Sequence, residues 1–105
     1  MGNNVGSGGG GSGALDAIET VVEVVNAHGL HARPATRLVN EANRFGCEIQ
    51  LEKDGQVVNA KSIMNILLLA AEKGSKITVR ARGVDARAAL DAIASLFARG
   101  FEDVV

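Results

Sequence analysis

The chain has 105 residues, with 11 lysines and arginines, 12 aspartates and glutamates, one cysteine and no Trp or Tyr. This length corresponds to one domain, and a net charge of −1 excludes a general nucleic-acid or membrane-surface binder, which would carry a basic excess. A single cysteine excludes an internal disulfide and fits a reducing compartment. No apolar run approaches the roughly 18 residues that cross a bilayer. We therefore expect a cytoplasmic protein without a signal peptide.

Glycine is concentrated at the start of the chain. Seven of the 13 glycines lie between Gly2 and Gly13. Such a run offers no side chains to bury and loses much backbone entropy when it becomes ordered. We therefore predict that residues 1–13 are a flexible tail or linker and that residues 14–105 form the folded domain.

The first predicted elements are a strand and a helix. Residues 20–25 are mostly β-branched and predict a strand with Val22 and Val24 facing the core. A loop containing Gly29 follows. Residues 32–45 predict a helix that ends before Gly46. Its apolar residues recur at helical spacing, namely Ala35, Leu38, Ala42 and Phe45.

A predicted hairpin and a second helix come next. Residues 48–53 alternate strictly, with Ile49 and Leu51 on one face, and Asp54-Gly55 is a strong type I′ turn signal before a partner strand at residues 56–60. Residues 62–72 predict a helix with Ser62 as its N-cap. Its core side is predicted to comprise Ile66, Leu69 and Ala70.

The last predicted elements complete the fold class. Residues 76–82 alternate again, and Asp85 is the predicted cap of a final helix that ends at Gly100. The order β-α-β-β-α-β-α, with strands that are apolar on one face only, indicates an α+β open-faced sandwich. We expect a four-stranded, mainly antiparallel sheet with three helices on one face.

The segment Gly29-Leu-His-Ala-Arg-Pro-Ala35 carries the clearest chemistry. His31 is predicted at the start of a helix, where backbone N–H groups and a partial positive charge favour an anion. Pro34 suits a first helical turn, because the N–H that it lacks would have no partner within the helix. A neutral imidazole beside these amides and the Arg33 guanidinium is a physical arrangement suited to a phosphohistidine.

Three other interpretations compete with the phosphohistidine. His31 is also compatible with an ordinary solvent-exposed loop residue. A metal site at His28 and His31 is less well supported, since no cysteine or carboxylate lies at ligand spacing. Cys47 has no predicted acid or base beside it, so a small buried apolar side chain is favoured over a nucleophile.

The same segment resembles the active-site segment of the histidine-containing phosphocarrier (HPr) family of the bacterial phosphoenolpyruvate-dependent phosphotransferase system. Val58-Asn-Ala-Lys-Ser-Ile-Met64 resembles that family's regulatory-serine segment, and the similarity spans about residues 20–101. The resemblance implies that His31 accepts a phosphoryl group at Nδ1 from Enzyme I and passes it to an Enzyme II A-type component. It also places Arg33 as the active-site arginine, with Ala32 and Arg33 binding the phosphate.

The second segment carries further implications of the resemblance. Ser62 becomes the candidate for a regulatory serine kinase and phosphorylase. The helix that follows Ser62 is apolar almost all round, so part of it is expected to remain uncovered as a partner-docking patch. The predicted docking residues are Arg37, Lys61, Ile63, Met64 and Leu67, with Arg33, Arg37 and Lys61 forming a basic rim for acidic partners.

Several alternatives remain open at this stage. His28 and Asn65 stand where small residues are common in the family, and the sequence has features of both the sugar branch and the nitrogen branch. A non-catalytic regulatory adaptor, controlled at Ser62, is the second hypothesis for function. A nucleic-acid-binding domain would need stacking aromatics beyond the three phenylalanines. We expect a monomeric carrier without a cofactor or metal.

Overall fold

The computed structural model describes residues 16–102, so the predicted tail at residues 1–13 lies outside the described residues. The predicted element order and the open-faced sandwich are both confirmed. The elements are β1 (Ile18–Glu23), α1 (Ala32–Ala42), β2 (Glu48–Lys53), β3 (Gln56–Asn59), α2 (Ile63–Leu68), β4 (Lys76–Arg82) and α3 (Ala86–Ala98), followed by a 3-10 turn at Gly100–Glu102.

The sheet has the order β1-β4-β2-β3, and every neighbouring pair is antiparallel. Strict alternation in β2 and β4 produces one buried face, where Ile49 lies opposite Ala81 and Leu51 lies opposite Val79. The helices cover this face. The largest fully buried side chains are Phe97, Phe101, Leu38, Ile49, Leu51, Ile66, Ile77, Ile93, Val24, Val79 and Pro34.

The opposite face of the sheet carries mostly polar side chains, with Val21 and Val57 exposed among them. The Arg80 guanidinium lies between two carboxylates, with Nε 2.9 Å from Glu19 Oε1 and Nη2 3.1 Å from Glu52 Oε1. These hydrogen bonds raise the pKa of Arg80 above its ordinary value. The ion pairs join β4 to both of its neighbours, which suits a sheet face that no helix covers.

The first strand is shifted from its prediction. β1 spans Ile18–Glu23 rather than residues 20–25, because a run of β-branched residues gives little information about where a strand ends. Val22 is half-buried on the core face. Val24 is fully buried but lies after β1, where its N–H donates to Ser75 O at 2.9 Å.

Both of the first two helices end earlier than predicted. α1 ends at Ala42, after which Arg44 N–H donates to Glu41 O and Phe45 N–H donates to Ala42 O, so Phe45 packs on the core from a turn. Gly46 therefore lies beyond these turns rather than directly after the helix.

α2 ends at Leu68 and not at residue 72. Ile66 and Leu69 are buried as predicted, but the placement of Ala70 in the core was wrong. Ala70 is exposed, with a φ of +48°, and the next residue, Ala71, is buried instead. The turn into a left-handed residue ends the helix without a glycine.

Asp85 occupies the N-cap position of α3, but its carboxylate does not cap that helix. It accepts hydrogen bonds from Gly46 N–H at 2.9 Å and from Cys47 N–H at 3.0 Å. These hydrogen bonds hold the pKa of the Asp85 carboxyl below its ordinary value, and the bond from Gly46 N–H has the largest effect. The predicted cap is therefore a link between the start of α3 and the chain entering β2.

Cys47 lies in the core with 4% of its surface exposed, as expected for a small apolar side chain. Burial raises the pKa of its thiol, and a hydrogen bond with the Asp85 carboxylate raises the pKa further. None of the helices within residues 16–102 is long and apolar enough to cross a membrane.

The left-handed backbone of Ala70 generates a prediction about stability. An L-residue in this region costs roughly 1–2 kcal/mol, whereas glycine adopts it readily at an unfolded-state entropy cost of roughly 0.5–1 kcal/mol. Ala70→Gly should therefore raise the free energy of unfolding by about 0.5–1 kcal/mol, as measured by urea denaturation. The control is Ala92→Gly, at a half-exposed position in the middle of α3, which should lower the free energy of unfolding by about 1 kcal/mol. Equal losses in both variants would contradict the strain at Ala70.

Candidate functional site

His31 is the N-cap residue of α1, with φ −84° and ψ −169°. Its carbonyl accepts a hydrogen bond from Ala35 N–H at 3.0 Å, which begins the helix. Within residues 16–102 its side chain makes no capping hydrogen bond to α1. The ring is half-buried and its Nε2 atom is buried. The sequence prediction that His31 lies at a helix start agrees with this geometry.

The first turn of α1 provides the groups that favour an anion. Ala32 and Arg33 are its first two residues and both are exposed. N–H groups at these positions have no acceptor within a helix, and they carry part of its positive dipole. Pro34 follows in the first turn, where it is buried against the core. The amides therefore lie directly after the imidazole that precedes the helix.

Asn26 organises the loop before His31. Its Nδ2 donates to Gly29 O at 2.6 Å, and its backbone carbonyl accepts a hydrogen bond from Gly29 N–H at 3.2 Å. The side chain is buried, with 7% of the residue exposed. Sequence reasoning missed this residue, although asparagine three residues before glycine is typical of a hydrogen-bonded turn.

Gly29 is required by both conformation and space. Its φ is +72°, and a Cβ atom would lie 2.4 Å from Ala71 O and 3.0 Å from Glu72 Cα. The next residue, Leu30, donates its N–H to Ala71 O at 2.9 Å. The loop that presents His31 therefore lies directly against the chain that leaves α2.

A second imidazole lies beside the first. The His28 ring centroid is 6.1 Å from that of His31, and the two planes meet at 77°. His28 is exposed and lies in the turn before α1. Among residues 16–102, no group of three or more His, Cys, Asp or Glu residues is arranged to hold a metal ion.

The predicted basic-rim residues Arg37 and Lys61 are held by polar contacts within the protein. Arg37 Nη2 lies 2.8 Å from Glu102 Oε1, and Arg99 lies 3.3 Å from the other oxygen of the same carboxylate. The hydrogen bond from Arg37 and the charge of Arg99 hold the pKa of Glu102 below its ordinary value. Lys61 Nζ donates to Phe45 O at 2.7 Å. An acidic partner must therefore compete with these contacts.

Ser62 is the N-cap of α2, as predicted. Its Oγ accepts hydrogen bonds from Asn65 N–H and from Asn65 Nδ2, each at 3.2 Å. Asn65 Oδ1 accepts the N–H of Asn59, also at 3.2 Å. The serine hydroxyl is thus half-buried within a small hydrogen-bond network.

The exposed side of α2 is apolar over most of its length. We call this surface the α2 patch, and it comprises Ile63, Met64, Leu67 and Leu68. Met64 and Leu68 are 74% and 64% exposed, and the other two are just over one-third exposed. Exposed apolar side chains in such a cluster are typical of a protein-binding surface. The predicted docking residues Ile63, Met64 and Leu67 therefore lie together.

The α1 and α2 helices are antiparallel, and this orientation separates the two predicted modification sites. Leu30, just before α1, is bonded to Ala71, just after α2, while Lys61, just before α2, is bonded to Phe45, just after α1. His31 and Ser62 are therefore at opposite ends of the helix pair. The α2 patch extends between these ends.

The chain matches the family model described as "PTS HPr component phosphorylation site" over residues 18–99. It is 47% identical over 78 residues to the HPr-like protein Crh of Bacillus subtilis, covering 74% of this chain and 92% of that protein. It is 46% identical over 82 residues to the phosphocarrier protein HPr of Treponema pallidum, covering 78% of this chain and 93% of that protein.

Solved structures of HPr and Crh proteins are also similar to this chain. An HPr structure from Thermoanaerobacter tengcongensis has a TM-score of 0.80 at 39% identity, covering 84% of this chain and 99% of that one. An HPr structure from the same organism, described as a dimer, has a TM-score of 0.67 at 40% identity and covers 78% and 94%. Crh of Bacillus subtilis, described as a dimer with a swapped domain, has a TM-score of 0.65 at 47% identity and covers 75% and 91%.

Proposed function

Because this chain belongs to the HPr family of phosphotransferase-system proteins, we propose that it is a phosphoryl carrier in sugar uptake or its regulation. His31 accepts a phosphoryl group from phosphorylated Enzyme I and delivers it to an Enzyme II A-type component. The observation that carries the proposal is the position of the His31 imidazole directly before the first-turn amides of α1. The protein is then a covalently modified carrier in the cytoplasm rather than an enzyme with a substrate of its own.

The burial of His31 Nε2 supports Nδ1 as the reacting atom. In a neutral imidazole one nitrogen holds a proton and the other has a free electron pair. An Nδ1 electron pair would attack phosphorus, so that the N–P bond forms while the bond between phosphorus and the donor breaks. The electron pair of that bond leaves with the donor. During delivery the N–P bond breaks, its electron pair returns to Nδ1, and phosphorus forms a new bond to the acceptor.

The start of α1 would stabilise the transferred group. The amides of Ala32 and Arg33 lie at the positive end of the helix dipole, which favours phosphate oxygens. The exposed Arg33 guanidinium adds a donor with the geometry for bidentate phosphate binding. No metal or cofactor is needed for this chemistry.

Docking would use the surface next to the site. The α2 patch provides the apolar contact, with Ile63, Met64 and Leu67 as contact residues. Arg37 and Lys61, the other predicted docking residues, would add mainly to the association rate. The transfer itself requires one chain. The expectation of a monomer has no support from the comparisons, in which the solved Crh and one solved HPr are described as dimers.

A second role is favoured by the relatives described as Crh, one of which is described as a catabolite repression protein. The regulatory function would be controlled by a serine kinase and a phosphorylase acting on Ser62. A phosphate at a helix N-cap is favoured by the helix dipole. The modified protein would then bind a metabolic or transcriptional regulator through the adjacent α2 patch. This adaptor role requires no nucleophile at His31, which separates it from the carrier role.

The carrier role predicts one acid-labile phosphoryl group per chain. Incubation with Enzyme I and phosphoenolpyruvate should add a single phosphoryl mass, measured on the intact protein. His31→Ala should abolish the addition, because it removes the accepting nitrogen. His28→Ala is the matched control and should still be labelled. Full labelling of the His31→Ala protein would exclude His31 as the acceptor.

Arg33 should contribute to transfer and little to folding, since its side chain is exposed. Arg33→Ala should slow phosphoryl transfer about 10- to 1,000-fold, which corresponds to losing one or two charge-assisted contacts of roughly 1.5–3 kcal/mol each. The melting temperature should change little. Rapid-quench kinetics and a thermal melt measure the two effects. A large loss of stability with normal transfer kinetics would instead assign Arg33 a structural role.

A negative charge at Ser62 should weaken phosphorylation of His31 by Enzyme I, whose docking surface is acidic in this family. Exposed charges separated by more than a Debye length of about 8 Å are screened, so a charge at Ser62 would not act directly on His31. It would instead repel a partner that covers the α2 patch. Ser62→Asp should lower the association rate at low salt, and this effect should shrink at high salt. Ser62→Ala should transfer normally while losing about 1 kcal/mol of stability with the cap. A folded Ser62→Asp protein phosphorylated at the wild-type rate in low salt would show that Ser62 is only a helix cap.

A further inference from the structure

The Asn65 side chain connects the edge strand β3 to the start of α2. Asn59 N–H can only donate, so the oxygen of the Asn65 amide faces Asn59 and its Nδ2 faces Ser62. The hydrogen bonds therefore fix which way the amide is turned. Asn65 acts as an acceptor on one side and as a donor on the other.

The two hydrogen bonds from Asn65 engage the lone pairs with which the Ser62 oxygen would act as a nucleophile. A serine oxygen has two lone pairs, and here Oγ accepts from both the backbone N–H and the Nδ2 of Asn65. The backbone bond is the ordinary N-cap. The bond from Nδ2 is additional and depends on the identity of residue 65.

We propose that Asn65 is a positioning residue that restrains phosphorylation of Ser62 by holding the second lone pair of its oxygen. The inference rests on the regulatory role of Ser62 proposed above. In the modification, Ser62 Oγ attacks the γ-phosphorus of ATP and the Oγ–P bond forms. The bond from that phosphorus to the β,γ-bridging oxygen breaks, the electron pair leaves with ADP, and the hydroxyl proton goes to a base of the kinase. Attack by Oγ therefore requires one of its two hydrogen bonds to break first.

The surrounding turn does not depend on the Nδ2 bond. Asn59 O accepts Ser62 N–H at 3.2 Å, and Asn59 Oδ1 accepts Lys61 N–H at 2.9 Å. Lys61 is also tied to Phe45. Loss of the Nδ2 donor therefore leaves the serine in place and frees only one lone pair.

Two variants at residue 65 separate the donor from the rest of the side chain. Asn65→Asp keeps an oxygen that can accept Asn59 N–H but has no donor for Ser62. Asn65→Ala removes both functions. Asn40→Asp, on the exposed surface of α1, makes the same chemical change away from Ser62 and controls for the added charge. Ser62→Ala shows that any label is at the intended hydroxyl.

The test is phosphorylation of the full chain by an ATP-dependent serine kinase that modifies HPr-family proteins, followed by intact-mass measurement. Both Asn65 variants should raise kcat about 3- to 10-fold, the equivalent of one neutral hydrogen bond, and leave KM nearly unchanged. Asn40→Asp should match the wild type. Circular dichroism and urea denaturation check that each variant is folded.

Other outcomes overturn the inference in distinguishable ways. A labelled wild type with no increase in kcat for either Asn65 variant would remove Asn65 as a restraint and leave the regulatory role of Ser62 standing. An increase for Asn65→Ala alone would assign the effect to loosening of the turn. If neither the wild type nor any variant were labelled, the proposed regulation of Ser62 would fail together with the inference.

Discussion

The site loop can lie against the chain that leaves α2 only because residue 29 has no side chain. A Cβ atom there would overlap Ala71 O, and the backbone angle also favours glycine. This contact brings Leu30 N–H to the same carbonyl, and the following residue then starts α1. One close approach between two backbones therefore fixes where the loop before His31 lies relative to the end of α2.

Much of the fold could be predicted from local sequence, because alternation and turn chemistry act over a few residues. β2 and β4 have their predicted bounds, and both residues of the Asp54-Gly55 turn have positive φ as a type I′ turn requires. The ends of α1 and α2 were predicted too late, since glycine was taken as the stop signal. Turns at Asn43 and the left-handed Ala70 end these helices first.

The candidate site was predictable where its parts are close in sequence and not where they are distant. His31, Ala32 and Arg33 follow from one segment, and Ser62 follows from helix capping. The ion pair between Arg37 and Glu102 joins residues 65 positions apart, and no local pattern indicates it. If the docking proposed above takes place, the apolar α2 patch should contribute more to affinity than Arg37, because Arg37 is already paired and exposed ion pairs contribute little.

Because Cys47 is buried, its reaction with a thiol reagent can be used to measure local opening of the fold. It is the only cysteine in the chain, and both burial and the nearby Asp85 carboxylate disfavour the thiolate. A thiol reagent in solution should therefore modify Cys47 only after the structure around it opens. The labelling rate then measures the population of opened molecules, without a fluorophore, in a protein that has no tryptophan to report on the same event.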